Sequence, residues 1–229
     1  MMEVASERAR SAWLLAFGDV ITLLMTFFIM MIALNKGEVS KIQVWVDQQV
    51  SQSYVVLEEK IEAADLGMVK LSRSANGILL SVNHENAFRS ARFEPSEQLS
   101  QELDVIGKLL PQIPLLNMSA QADAAQVIEQ AAEDGLHWFA EVTVEGHTDN
   151  DKINPEARIR NNWFLSTLRA QSVMQRLFES SQLPASLFSV AGYADYHPIA
   201  SNETAEGKAK NRRVDILISA TFQASERGL

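Results

Sequence analysis

The stretch WLLAFGDVITLLMTFFIMMIAL, residues 13–34, constrains this chain more than any other, because its sole charged side chain is Asp19. A bilayer core about 30 Å thick takes roughly 20 apolar residues at about 1.5 Å rise each, so the run is long enough to cross once. It ends in Leu34-Asn35-Lys36-Gly37-Glu38, with no small-residue cleavage pattern, which predicts a retained anchor rather than a cleaved signal. The alternative is a buried helix of a soluble domain. Arg8 and Arg10 precede the run, and Lys36 and Glu38 follow it. That positive-inside bias predicts a single pass of the inner membrane, with a cytoplasmic N-terminus and the remaining chain in the periplasm.

An ionised carboxylate in hydrocarbon costs several kcal/mol, about 3 on the most lenient scale, so Asp19 is a functional position by default. Desolvation favours the neutral form of an acid. Asp19 can therefore take up a proton from one side and release it when water or a partner dipole reaches it.

The 229 residues carry a formal charge of −9 and no Cys. An acidic chain lacks the clustered Lys and Arg that phosphate binding needs, which argues against a nucleic-acid partner. Disulfides and thiolate metal sites are excluded outright. His84, His137, His147 and His197 lack metal-ligand spacing, and no G-x-S-x-G or phosphate-binding loop occurs, so neither enzyme, metal nor cofactor is expected. A two-carboxylate hydrolase built from Glu145 and Asp149 is disfavoured because Glu145 falls on the solvent side of an alternating strand.

From residue 39 to 65 there is no Pro and no Gly, and apolar side chains recur at Val39, Ile42, Val46, Val50, Tyr54, Leu57, Ile61 and Ala64. Steps of three and four predict a helix that Gly67 would end. It is either a stalk projecting from the membrane, pairing briefly in a dimer, or a helix packed on its own domain.

Further on, GILLSV (77–82) predicts a strand, and Leu99, Leu103, Ile106 and Leu110 predict a helix over 95–110. FAEVTVEG alternates Ala140, Val142 and Val144 with polar residues and predicts a half-exposed strand. A helix over 161–182 would bury Trp163, Ala170, Val173, Met174, Leu177 and Phe178, and RVDILIS predicts a last strand. This order predicts an α+β fold: an α/β sandwich with helices on one face of a mixed sheet. The domains expected are a tail (1–12), a span (13–34), a helical stalk (35–66), an outer domain (67–222) with an insertion near 116–135 that can be helical, and a tail (223–229).

On the 161–182 helix, Asn162, Leu165 and Arg169 share a narrow sector away from the expected core face. VEGHTDN places Asp149 just past the end of a strand, where α/β domains often bind ligands. An acid and an Arg facing one pocket suit a zwitterion, the carboxylate taking an ammonium and the guanidinium a carboxylate. They could equally pair with each other.

At these residues, in VEGHTDN, NNWFLSTLRAQSV, VAGYADYHPIASN and NRRVDI, the sequence resembles the OmpA-like peptidoglycan-binding domain. With WLLAFGDVITLLMTFF in front, the chain is similar to the B subunits of MotB-type stators. That resemblance implies a homodimer inside a ring of A subunits (MotA- or ZorA-like), with Asp19 carrying an ion, H⁺ by default and Na⁺ as the alternative, and with Thr22 and Thr26 further along the same side. It also implies that Asp149 and Arg169 hold the free amino-acid end of diaminopimelate in a peptidoglycan stem peptide, flanked by Thr148, Asn161, Asn162, Leu165 and Arg213. Asn161 stands where many relatives carry an aromatic, and the loop from Asp149 to Asn162 is long. The short tail and compact stalk are most similar to the ZorB family of Zorya anti-phage defence systems, with flagellar MotB subunits and a passive envelope tether as alternatives. A tether gains nothing from an acid in its anchor.

Overall fold

A computed structural model describes residues 2–88, 92–118, 122–153 and 159–224. The first helix, α1, runs over Met2–Ala63, and its residues divide between two compact units, one reaching Trp45 and one beginning at Val46. Within the first unit, Trp13–Ala33 is long and apolar enough to cross a membrane, and its side chains are exposed. An apolar surface all round a helix demands lipid or other chains as its surroundings.

The second unit starts inside the stretch expected to be a stalk. From Val46 onward this helix is part of a core: Val50, Leu57 and Ile61 are buried with the sheet and helices that follow. Polar ties reinforce the packing. Ser53 Oγ accepts the Leu115 amide at 2.9 Å, and Arg73 pairs with Asp47 at 2.8 Å. Residues 46–63 are packed on the second unit, where the apolar stripe finds partners within its own chain. The helix ends at Ala63 rather than at Gly67, with Asp65 supplying the left-handed turn (φ 50°). Glu102 then secures the exit by accepting the Met68 amide at 2.9 Å.

Five strands follow, β1 (Val69–Ser74), β2 (Gly77–Val82), β3 (Leu136–Gly146), β4 (Phe188–Gly192) and β5 (Val214–Ala224), in the order β1-β2-β5-β3-β4. The sheet is mixed: β3 and β4 run parallel and the other pairs antiparallel. Between them lie α2 (Glu97–Leu109), α3 (Ala122–Glu133), α4 (Asn162–Ser181) and α5 (Ala205–Asn211). The register sets buried rows across the three central strands: Ile78, Ile218 and Val142 form one, and Leu80, Ile216 and Val144 the next. Period-2 alternation points these residues to one face, where Leu99, Leu103 and Ile106 of α2 and Ala170, Val173 and Leu177 of α4 complete the core.

The helices start where the sequence supplies caps: Ser96 accepts from the Leu99 amide, Asn161 from Phe164 and Thr204 from Gly207. The insertion near 116–135 carries α3, with residues 119–121 outside those described, as are 154–158 of the long loop and 225–229 of the tail. β1, β4 and α5 were not anticipated. On α4, Ala170, Val173 and Leu177 are buried as expected and Met174 partly so, whereas Trp163 is 50% and Phe178 38% exposed.

Candidate functional site

In the spanning segment, the Thr22 hydroxyl donates to the Asp19 carbonyl at 2.8 Å and the Thr26 hydroxyl to the Leu23 carbonyl at 2.9 Å. Both threonines thus satisfy their protons on their own helix. The Asp19 carboxylate stays exposed on this chain.

The outer site forms where β3 ends. Gly146 and Gly192 are paired across the parallel ladder, and a Cβ on either would run into α4, at the Ser166 backbone and at Thr167 respectively. These two glycines let the first turns of α4 rest directly on the strand ends. His147, Thr148 and Asp149 leave the strand there, all buried. Asn162 Nδ2 bridges the Asp149 and Asp151 carbonyls at 3.1 and 3.0 Å, while Asn161 caps α4.

Asp149 does not pair with Arg169. Its carboxylate accepts from Arg212 Nη1 at 2.7 Å and from the Asp151 amide at 3.2 Å. Arg169 is 7% exposed, lies over the Phe88 ring (5.1 Å to the centroid) and donates through Nε to the Arg92 carbonyl at 3.1 Å. Among the described residues it makes no ion pair. Burial, together with the nearby Arg212 charge and against the pull of Asp149, pushes its pKa down to about 10. It remains a cation at neutral pH, and a carboxylate placed against it would offset the cost of its burial. Leu165, 6% exposed, belongs to the buried side of this turn. The sector of α4 that carries Leu165 and Arg169 is thus itself covered, in part by the Phe88 ring and the Arg92 carbonyl. Nothing periodic in the sequence marked those two residues.

Arg213 lies in an inner cluster instead. It pairs with Asp215 at 2.8 Å and reaches the His197 carbonyl with both Nη atoms at 3.4 Å, so the half-exposed Arg212 beside it is the one that meets Asp149. The tandem arginines were visible in NRR, but which one turns outward depends on strand phase at Val214. Asn211 holds this corner: fully buried, it accepts from the Ile199 and Ala200 amides and donates to the Ala200 carbonyl and Asn202.

His147 Nε2 is 3.6 Å from Asp215 and 3.9 Å from Glu145, and neither ring nitrogen has a hydrogen-bond partner among the described residues. Burial, then the Arg213 charge, pushes the imidazole down to about 4 against the pull of Asp215, so these are contacts of a neutral ring and not ion pairs. Glu145 is half-buried in this cluster rather than on an open solvent face, and burial with the Asp215 charge raises its pKa. Glu145 and Asp149 belong to separate clusters, one around His147 and one around Arg212.

The lowered imidazole fixes a pH dependence. The folded state binds the His147 proton less readily than the unfolded chain, whose ordinary value is 6.5, so stability is intact above that pH and falls as pH drops from 6.5 toward about 4. The loss approaches about 3 kcal/mol at full protonation, partly offset by Glu145, whose raised pKa works the other way. Denaturant midpoints of the full chain in detergent should fall across that window, and His147→Gln should remove most of the slope; an unchanged slope would refute the assignment.

The arrangement of mixed sheet, α4 and terminal loops defines an OmpA-like domain, and residues 111–212 match the OmpA family model. Residues 2–48 match the model described as membrane MotB of the proton-channel complex MotA/MotB. Two separate segments of the chain thus match, one a MotB-type membrane model and the other the OmpA family. Motility protein B of Bacillus subtilis (strain 168) is 48% identical over 77 residues, 34% of this chain and 29% of that relative's length. Motility protein B of Helicobacter pylori (strain J99) is 27% identical over 92% of this chain and 86% of its own. The crystal structure of a putative MotB-like protein from Desulfovibrio vulgaris superposes with a TM-score of 0.59 at 19% identity, over 77% of this chain and 94% of that one, which establishes the fold. These proteins are described as motility or MotB-like proteins.

Proposed function

We propose that this chain is the wall-anchored B subunit of an ion-driven stator in a bacterial inner membrane, its N-terminus cytoplasmic and its OmpA-like domain periplasmic. The observation that carries the reading is Asp19, a lone acid in an apolar span within the MotB-matching segment. Asp19 carries the proton, with Thr22 and Thr26 lining the same stretch, and two copies sit within a ring of MotA-type subunits. Outside, Asp149 and Arg169 take the ammonium and carboxylate of diaminopimelate in a stem peptide, with Thr148, Asn161, Asn162 and Leu165 shaping the pocket and Arg213 bracing it from within. Arg212, already on Asp149, adds a second cation toward the ligand carboxylate.

Two outputs fit such a motor. Flagellar rotation is supported by the relatives described as motility proteins. Anti-phage defence of the Zorya type is supported by the short stretch between the span and the packed helix that begins at Val46. The Helicobacter relative, aligned over most of its length, has a similar extent, so length alone does not separate the two. Soft-agar swimming and phage plaquing of a deletion strain, with and without the gene, assign the output directly.

The anchoring half is tested by co-sedimentation of the full chain with purified sacculi. Arg169→Ala should weaken binding by about ten- to a hundredfold, since a charged hydrogen-bonding partner is lost, and Arg169→Lys should recover part because it keeps the charge without the bidentate fork. Equal binding by a folded Arg169→Ala chain would overturn the pocket.

A further inference from the structure

We infer that the exposed Trp163–Tyr196 pair is a sugar-binding platform that extends the stem-peptide pocket onto the glycan strand. Trp163, in the first turn of α4, is 50% exposed, and Tyr196 is 67% exposed. Their rings stack at 5.3 Å with planes 28° apart. Large aromatic rings left in water cost free energy, and a contiguous pair marks a contact surface.

The pair is held in place before any ligand arrives. The Thr148 amide donates to the Ala194 carbonyl at 2.8 Å, and the Ala194 amide to Ser166 Oγ at 3.1 Å, tying the Tyr193–His197 turn to both β3 and α4. Ala194 takes a left-handed conformation (φ 49°) to make these bonds, a strain typical of binding loops. Within the same turn, Tyr193 stacks on His197 at 4.4 Å. The turn therefore presents Tyr196 outward from a rigid base.

A pyranose ring matches this surface: its axial C–H face lies flat on π-density while its hydroxyl and acetamido groups reach polar neighbours. Asn162 beside Trp163, with Asp151 and Lys208 joined at 2.6 Å across the same rim, are such neighbours. Two rings amid polar groups fall short of the roughly 1,000 Å² that a stable protein interface buries, which disfavours a second copy as the occupant. Trp163 and Arg169 are six residues apart on α4, about 9 Å of helix rise and about 120° around its axis. An extended stem peptide covers about 10 Å over three residues, comparable with the rise between them, and bends around the start of α4 to meet both.

The inference rests on the wall-binding reading, and the test separates the two. The full chain in detergent is titrated with three probes: a disaccharide–tripeptide muropeptide, the free tripeptide containing diaminopimelate, and peptide-free glycan. The muropeptide should bind about three- to tenfold tighter than the free tripeptide. Trp163→Ala and Tyr196→Ala should each erase most of that difference and leave the tripeptide affinity unchanged, while Trp163→Phe retains part of it. Equal affinity of the native chain for muropeptide and tripeptide would overturn the platform and leave the pocket standing. Loss of tripeptide binding in Trp163→Ala would overturn it too, assigning the ring to pocket shape. If the native chain ignores the tripeptide, the pocket reading fails, and the platform then stands on glycan binding that the Ala variants lose and falls without it. Altered sedimentation of the variants with unchanged muropeptide affinity would assign the rings to self-association and refute the inference.

Discussion

Asp19→Asn is expected to abolish ion flux, and with it swimming or phage protection, while leaving membrane insertion and folding intact. Asn keeps the shape and hydrogen-bonding size of the side chain but cannot take up and release a proton. No other residue of the 13–33 stretch is ionisable, so nothing nearby can substitute. Thr22 and Thr26 have their hydroxyl protons committed to helix carbonyls. Removing a charge that is costly in hydrocarbon should, if anything, ease insertion. The measurement is proton uptake by proteoliposomes holding this chain with its A-type partner, with membrane-fraction levels as the control. Flux at background in the Asn variant, with Asp19→Glu partly active, is the expected pattern. Native flux in the Asn variant would end the ion-carrying reading and return the chain to a passive tether.

Gly146→Val should destabilise the outer domain by about 3 kcal/mol, at the upper end of the usual cost of overpacking. A Cβ at this position meets the carbonyl oxygen and carbon of Ser166, which are helix backbone and cannot rotate aside. Relief requires lifting α4 from the ends of β3 and β4. That motion would also break the Ala194 amide bond to Ser166 Oγ and the Asn162 bridge to Asp149 and Asp151. Thermal unfolding of the full chain should show a midpoint lower by about 6–12 °C, with Gly146→Ala intermediate and sacculus binding falling in parallel. An unchanged midpoint would mean that the close helix–strand approach is not rigid.

Gly146 illustrates how far the sequence could be read. VEGHTDN was legible as a strand end carrying an acid, yet the need for glycine there arises from Ser166, which lies on another element. Trp163 shows the converse. Its helical phase matches that of the buried Ala170, but it lies a full two turns nearer the α4 N-terminus, and there the ring stacks on Tyr196 instead of the core.

The sequence by itself determined what periodicity and composition can encode locally. An apolar run of membrane length with one acid, the stripes of α2 and α4, the alternation of β2, β3 and β5, and an Asp at a strand end next to a helix bearing Arg169 are all written in consecutive residues. Tertiary structure alone decided which remote groups meet. Asp149 takes Arg212, 63 positions away, and not Arg169; Arg213 turns inward to Asp215; residues 46–63 become core instead of a free stalk. The physical reason is that a stripe or an alternation specifies only a buried direction. What fills that direction, and which charge meets a carboxylate, depends on the sheet register and on how closely α4 approaches the strand ends.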